Sequence, residues 1–227
     1  SSTRRLRSTG DSGVIPSLRT RTLIVRNGGY LAPMAHIVLF HHILGLTPGV
    51  RGLADAFVEA GHQVSTPDLF SGRTFPDIKA GLDHVNSLGD GALLSRAEQA
   101  CAGLPVEVVS AGPSLGVVPA QHLLATRPGS RGALLIHAFV DPTQMGGTWP
   151  DGCPVGVFAM QDEPCFVGDG DLEAARLWGR SHPGLDIRLY PGAGHLFTEP
   201  AVQDYDPQAT RDLIADALAL LDRCDSA

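Results

Sequence analysis

The stretch that most constrains this chain runs from Val106 to Leu124, VEVVSAGPSLGVVPAQHLL. Its apolar opening, Val106, Val108 and Val109, reads as a buried strand, and the run from Leu115 to Ala125 reads as a helix. Between them, Gly112-Pro113-Ser114-Leu115-Gly116 matches G-x-S-x-G in the strand–turn–helix setting that the pattern requires. A serine on so sharp a bend is held in a strained backbone, with its hydroxyl pushed out past the end of the sheet. Flanking glycines let neighbouring elements approach without a Cβ in the way. Pro113 lacks an N–H and biases Gly112 toward extended geometry, while Leu115, the residue after the serine, keeps its own donor. The plainer alternative is a Gly/Ser turn between two core elements. Strand before and helix after favour a nucleophile.

The rest of the chain alternates regularly. His36–His41 (HIVLFH) reads as a strand buried on both faces, Val50–Ala60 as a helix stopped by Gly61, and Gln63–Pro67 as a short strand before the loop Asp68–Pro76. Asp77–Leu88 and Ala92–Leu104 read as helices broken around Gly89 and Gly91. Beyond the serine turn come a strand at Gly132–Ala138 and a Gly/Pro-rich loop, Val140–Gly152. A strand at Pro154–Met160, a helix at Asp171–Arg180, a strand at Asp186–Tyr190 and a closing helix at Pro207–Leu221 follow. Strands alternating with helices of this length predict an α/β fold with a mostly parallel central sheet and helices on its faces. In such sheets, function gathers on loops beyond the carboxyl ends of the strands.

Composition bounds the function classes. At 227 residues, 43% hydrophobic and 18% charged, the chain is long enough to bury a full core without disulfide or metal staples. Cys101, Cys153, Cys165 and Cys224 show no C-x-x-C spacing, which suggests reduced thiols and a cytoplasmic location. No apolar run approaches the roughly 18 residues of a membrane span. Residues 1–33 hold six arginines against Asp11, a net of +5, so the total of −7 leaves −12 for the remainder. A globular part that acidic is a poor partner for nucleic acid. Residues 1–33 are expected to be a basic extension, disordered or non-native, ahead of a domain spanning 34–227.

Four loops fall at the functional ends of the strands. His41-His42-Ile43-Leu44-Gly45 can offer the Ile43 N–H beside that of Leu115 as a two-donor oxyanion hole. The second loop carries Arg73, and the third holds Gln161-Asp162-Glu163-Pro164. The fourth is Pro191-Gly192-Ala193-Gly194-His195, where a histidine past the last strand suits a general base in the chain order Ser, acid, His. A serine hydroxyl is a weak nucleophile, so a neutral imidazole must take its proton and a carboxylate must hold the ring. His36, His62, His84, His122, His137 and His182 are expected at core edges or on the surface. His41 and His42 alternate in direction and lack a third metal ligand at useful spacing. The acids at Asp169 and Asp171 read as caps for the next helix and not as a calcium loop.

Taken together, His42–Arg51, HQVSTPDLFSGRTF, GPSLG and YPGAGHLF resemble the dienelactone hydrolase family of the α/β-hydrolase superfamily, over about Met34 to Leu221. The resemblance implies a small, lidless, cofactor-free hydrolase of esters or lactones, a monomer or weak homodimer. Two residues depart from the family pattern: Ser114 stands where well-known members use cysteine, and His42 stands where they carry an acid. Set against the family's G-x-x-D-P strand ending, CPVGVFAMQDEP aligns without a gap and puts Glu163 at the acid position; a one-residue loop difference would put Asp162 there instead. Family arginines that hold a substrate carboxylate suggest Arg73, with His42, for substrate binding. Glu199 and Pro200 occupy the stretch where a second clamp would be expected, and an acid facing the pocket there would repel an anionic substrate. The expectation is a serine esterase or lactonase working through Ser114, His195 and Glu163 or Asp162. Its rivals are a thioesterase or acyltransferase on the same triad and a non-catalytic binding protein.

Overall fold

A computed structural model describes residues 34–146 and 148–226. The expectation for residues 1–33 lies outside the described residues. The strands are β1 (His36–Leu39), β2 (Gln63–Ser65), β3 (Val108–Pro113), β4 (Ser130–Ile136), β5 (Val155–Met160) and β6 (Leu185–Tyr190). The helices are α1 (Pro48–Glu59), α2 (Ile78–Leu88), α3 (Ala92–Cys101), α4 (Val117–Thr126), α5 (Pro164–Gly168), α6 (Asp171–Gly179) and α7 (Pro207–Ser226). The strands form one sheet in the order β2-β1-β3-β4-β5-β6, parallel at every pairing.

Two cores sandwich that sheet, and the alternation of the strands sorts residues between them. Ile37 and Leu39 face one core with Val109, Leu134 and Phe158, covered by Phe57 of α1 and Leu213 and Leu220 of α7. Val38 and Phe40 face the other with Val108, Leu135 and Val157, covered by Ala97 of α3, Leu124 of α4 and Leu172 of α6. Each buried Leu, Ile or Phe contributes roughly 1.5–3 kcal/mol, so central strands with apolar residues on both faces are the natural centre of the molecule. Local chemistry sets the helix ends: Pro48 opens α1, Asp77 caps α2 by accepting from the Ala80 N–H at 2.8 Å, and Asp206 accepts from the N–H groups of Gln208 and Ala209 at the start of α7.

Three sequence expectations change. Val106 is exposed and precedes β3, because pairing with β1 starts only at His36 opposite Val108. A 3-10 turn, Ser114–Gly116, separates the elbow from α4. Neither Asp169 nor Asp171 caps α6: the cap is Gly170, and the carboxylate of Asp171, the first residue of the helix, accepts from the Phe139 N–H at 2.9 Å.

Candidate active site

Ser114 sits where β3 ends, with a left-handed φ of 50° that side-chain-bearing residues rarely adopt. Its glycines are dictated by contact: a Cβ on Gly112 would strike the Gly116 backbone, and one on Gly116 would lie 3.0 Å from the carbonyl oxygens of Phe40 and His41. The strained turn lifts the hydroxyl toward the loop after β6, where Ser114 Oγ lies 2.8 Å from His195 Nε2. That histidine loop is tied down by the His195 N–H donating to Asp204 Oδ2 at 3.0 Å and the Gly194 N–H to Met160 Sδ at 3.0 Å.

On the far side of the ring, His195 Nδ1 faces Glu163 Oε1 at 3.4 Å, an ion-pair separation longer than the usual hydrogen bond. Glu163 is also the N-cap of α5, accepting from the N–H groups of Cys165 (3.1 Å) and Phe166. Burial pushes its carboxyl up, but the His195 ring and the two amides outweigh burial and hold it below the ordinary carboxylate value. Asp162 is exposed; among the described residues its carboxylate meets only the neighbouring Gln161 amide, at 3.2 Å. Of the two acids left open by the sequence, Glu163 is therefore the one that faces the histidine.

Ile43 and Leu115, the two expected oxyanion donors, lie in the loop after β1 and on the first turn after Ser114, and their side chains meet in one apolar cluster. The Ile43 N–H has no acceptor among the described residues. Leu115 is the second residue of the 3-10 turn Ser114–Gly116, too early in that turn for its N–H to reach a carbonyl within it.

His42 corrects an expectation. Its ring is 1% exposed and both nitrogens are occupied: Nδ1 accepts from the Leu44 N–H at 3.2 Å, so Nε2 carries the proton and donates to Glu199 Oε2 at 3.1 Å. The ring has nothing left for a substrate. Glu199, whose direction the sequence left open, is fully buried and faces inward. It accepts from the Thr47 hydroxyl and, at 3.1 Å, from the Ala201 N–H, and it leaves no room for a side chain at Gly49. Burial would raise its carboxyl; His42, Thr47 and the Ala201 amide together lower it. This pair fastens the loop of Ile43 to the loop of His195. His41 turns the opposite way, as alternation requires, with Nδ1 donating to the His42 carbonyl and Nε2 accepting from the Leu69 N–H. Among the described residues no group of three or more His, Cys, Asp or Glu could hold a metal ion.

Arg73 lies on the loop after β2, with its carbonyl pressed against Gly45 and the Phe75 N–H donating to the Leu44 carbonyl at 3.0 Å. Its side chain is exposed and meets no carboxylate among the described residues.

Sequence reasoning placed His137 at a core edge or the surface, yet it stands beside Ser114. Pro113 pairs with Ile136, so Ser114 and His137 end adjacent strands, and both are left-handed; φ of His137 is 69°. Its buried ring packs on Phe197 (centroids 4.6 Å apart) and lies 6.1 Å from His195. Burial drives its imidazole well below the ordinary value, and nearby His195 and His42 act in the same direction, so it is neutral. No spacing in the sequence marks it; only the strand register does.

No family model matches the sequence, and no curated protein matches it. Solved structures do share its fold. A dienelactone hydrolase-like promiscuous phosphotriesterase from metagenomic libraries is 20% identical, with a TM-score of 0.66 over 85% of this chain and 87% of that one. A candidate dienelactone hydrolase from Klebsiella pneumoniae is 18% identical, with a TM-score of 0.64 over 87% and 90% of the two chains. Esterase 2 of Thermogutta terrifontis, in a form phosphoramylated by tabun, is 14% identical, with a TM-score of 0.56 over 84% and 83%. Likeness at these identities identifies the architecture: this chain has the α/β-hydrolase fold.

Proposed function

We propose that the protein is a serine hydrolase of small carboxylic esters or lactones, with Ser114 as nucleophile, His195 as general base and Glu163 as the acid that holds the base. The observation that carries this reading is the 2.8 Å approach of Ser114 Oγ to His195 Nε2 at a left-handed strand end. His195 Nε2 takes the hydroxyl proton as Oγ bonds to the substrate carbonyl carbon, and the carbonyl oxygen becomes an oxyanion facing the N–H groups of Ile43 and Leu115. Collapse breaks the bond to the alcohol, which leaves with the proton from His195, and Ser114 keeps the acyl group. Water then repeats the sequence, giving its proton to His195 and releasing the acid. The Glu163 carboxylate stabilises the imidazolium in both halves without becoming protonated. The dienelactone hydrolases and esterases among proteins of the same fold support this chemistry by analogy. Four free cysteines favour a reducing compartment.

A fluorophosphonate probe tests the nucleophile. It is expected to label Ser114, and Ser114→Ala is expected to abolish labelling and lower ester turnover by several orders of magnitude. Turnover that survives the substitution would discard the mechanism. We assign Arg73 to a substrate carboxylate, because a guanidinium that meets no acid among the described residues can grip one through two parallel hydrogen bonds. Kinetics on matched anionic and neutral esters read that assignment: Arg73→Ala is expected to remove the preference for the anion by roughly tenfold and to spare the neutral ester.

A further inference from the structure

The apolar residues that follow the proposed catalytic groups converge. Leu44 follows Ile43, Leu115 follows Ser114 and Leu196 follows His195, and all of them meet in a small third cluster, which Leu115 joins to the core under α3, α4 and α6. A cleft of about 390 Å³ opens beside that cluster, bounded by Leu44, Leu196 and Val202 and by the first turn of α2. That volume lies within the roughly 300–1,000 Å³ of small-molecule sites. α2 is seated directly on the oxyanion loop: its one buried residue is Gly81, where a Cβ would strike the Ile43 carbonyl. The same helix presents Ile78, 45% exposed, to the cleft and leaves Leu82, one turn on, 48% exposed. Charge at the mouth is net negative. Asp77 and Asp204 border it, while the ammonium of Lys79 is already taken by Asp83 at 2.7 Å.

We propose that this cleft holds a neutral, apolar arm of the substrate, a hydrocarbon chain on either the acyl or the alcohol side of the reacting ester. The assignment rests on the serine-hydrolase reading and narrows its substrate class. A chain in the cleft exchanges water for Leu44, Ile78, Leu196 and Val202. A carboxylate at the tip of the same chain would meet Asp77 and Asp204. An anionic group recognised by Arg73 therefore belongs on the other part of the molecule.

The test is a pair of p-nitrophenyl and alkyl ester series, one lengthened on the acyl side and one on the alcohol side, each with an ω-carboxylate counterpart. In one of the two series kcat/KM is expected to rise about fourfold per methylene until the cleft is full. The matching ω-carboxylate is expected to fall at least tenfold below its neutral partner. Val202→Trp, which narrows the cleft, and Ile78→Asp, which charges an exposed wall without disturbing the core, are each expected to lower the hexanoyl-to-acetyl (or hexyl-to-methyl) ratio tenfold or more. Flat chain-length profiles in both series, or a ratio untouched by both variants, would overturn the assignment while acetyl-ester turnover through Ser114 leaves the hydrolase reading standing. Absence of Ser114-dependent turnover on every ester would overturn both.

Discussion

Two buried glutamates face two histidines in this protein, and the pairs do different work. Glu163 stands 3.4 Å from His195 and Glu199 stands 3.1 Å from His42. Both carboxylates also accept backbone N–H groups, and both are held below the ordinary value in spite of burial. The difference lies in the second nitrogen of each ring. His195 turns it toward a serine hydroxyl from a side chain that is 22% exposed. His42 spends its own on the Leu44 amide and is sealed inside. A buried glutamate–histidine pair becomes a catalytic device only when the far nitrogen meets a nucleophile; otherwise it is a tie between loops.

The largest effect that can break this contrast is on turnover. Glu163→Gln, measured well below the melting transition, is expected to lower kcat by a factor on the order of 10³–10⁴, because glutamine keeps one acceptor oxygen for the cap of α5 but no carboxylate for His195. Asp162→Asn, measured alongside it, is expected to stay within about threefold of the parent. Equal losses in the two variants would undo the assignment of the acid. Glu199→Gln sharpens the other half. Loss of a charged hydrogen-bonding group inside the fold costs about 1–3 kcal/mol, a fall of roughly 2–10 °C at this chain length, read by thermal denaturation. Its kcat, taken well below the melting transition, is expected to fall less than tenfold. A thousandfold loss at unchanged stability would move Glu199 into the chemistry.

The smallest effect is the dependence of stability on pH. A carboxyl whose folded value is depressed contributes stability that is fully present above its unfolded value, near 4.3, and is lost as pH falls through the folded value. Melting curves of the parent and Glu199→Gln are therefore expected to run at a constant separation above about pH 5 and to converge below it. His41 and His137 act over another window. Burial keeps them neutral, so they begin to weaken the fold once pH drops below about 6.5, where the unfolded chain takes up the proton. That contribution is common to both proteins and leaves their difference untouched.

The elbow was legible because its information is local: five residues state the turn, and the periods on either side state strand and helix. The same holds for His195 behind its glycines and for the sorting of β1 between two cores. What stayed hidden depends on partners far away in the chain. Glu199 lies 157 residues from His42, so its sign could be read but not its direction. His137 lies beside Ser114 only through the β3–β4 register. Helix α5, five residues long, is too short to show a period. Glu163 fell between these extremes: gapless register put it forward, and only the fold turned Asp162 toward solvent.

Glu163 owes its place to a single turn of helix. The amides of Cys165 and Phe166 hold its carboxylate only while Pro164–Gly168 stays wound, and five residues are too few for a helix to persist by propensity. In the proposed mechanism, chemistry at Ser114 thus inherits the endurance of that corner and not that of the sheet beneath it. A brief fraying there would free the acid, leave His195 without its support, and silence the proposed activity while the core is still intact. Under mild heat or denaturant the protein would go quiet before it melts, and would recover as the turn rewinds.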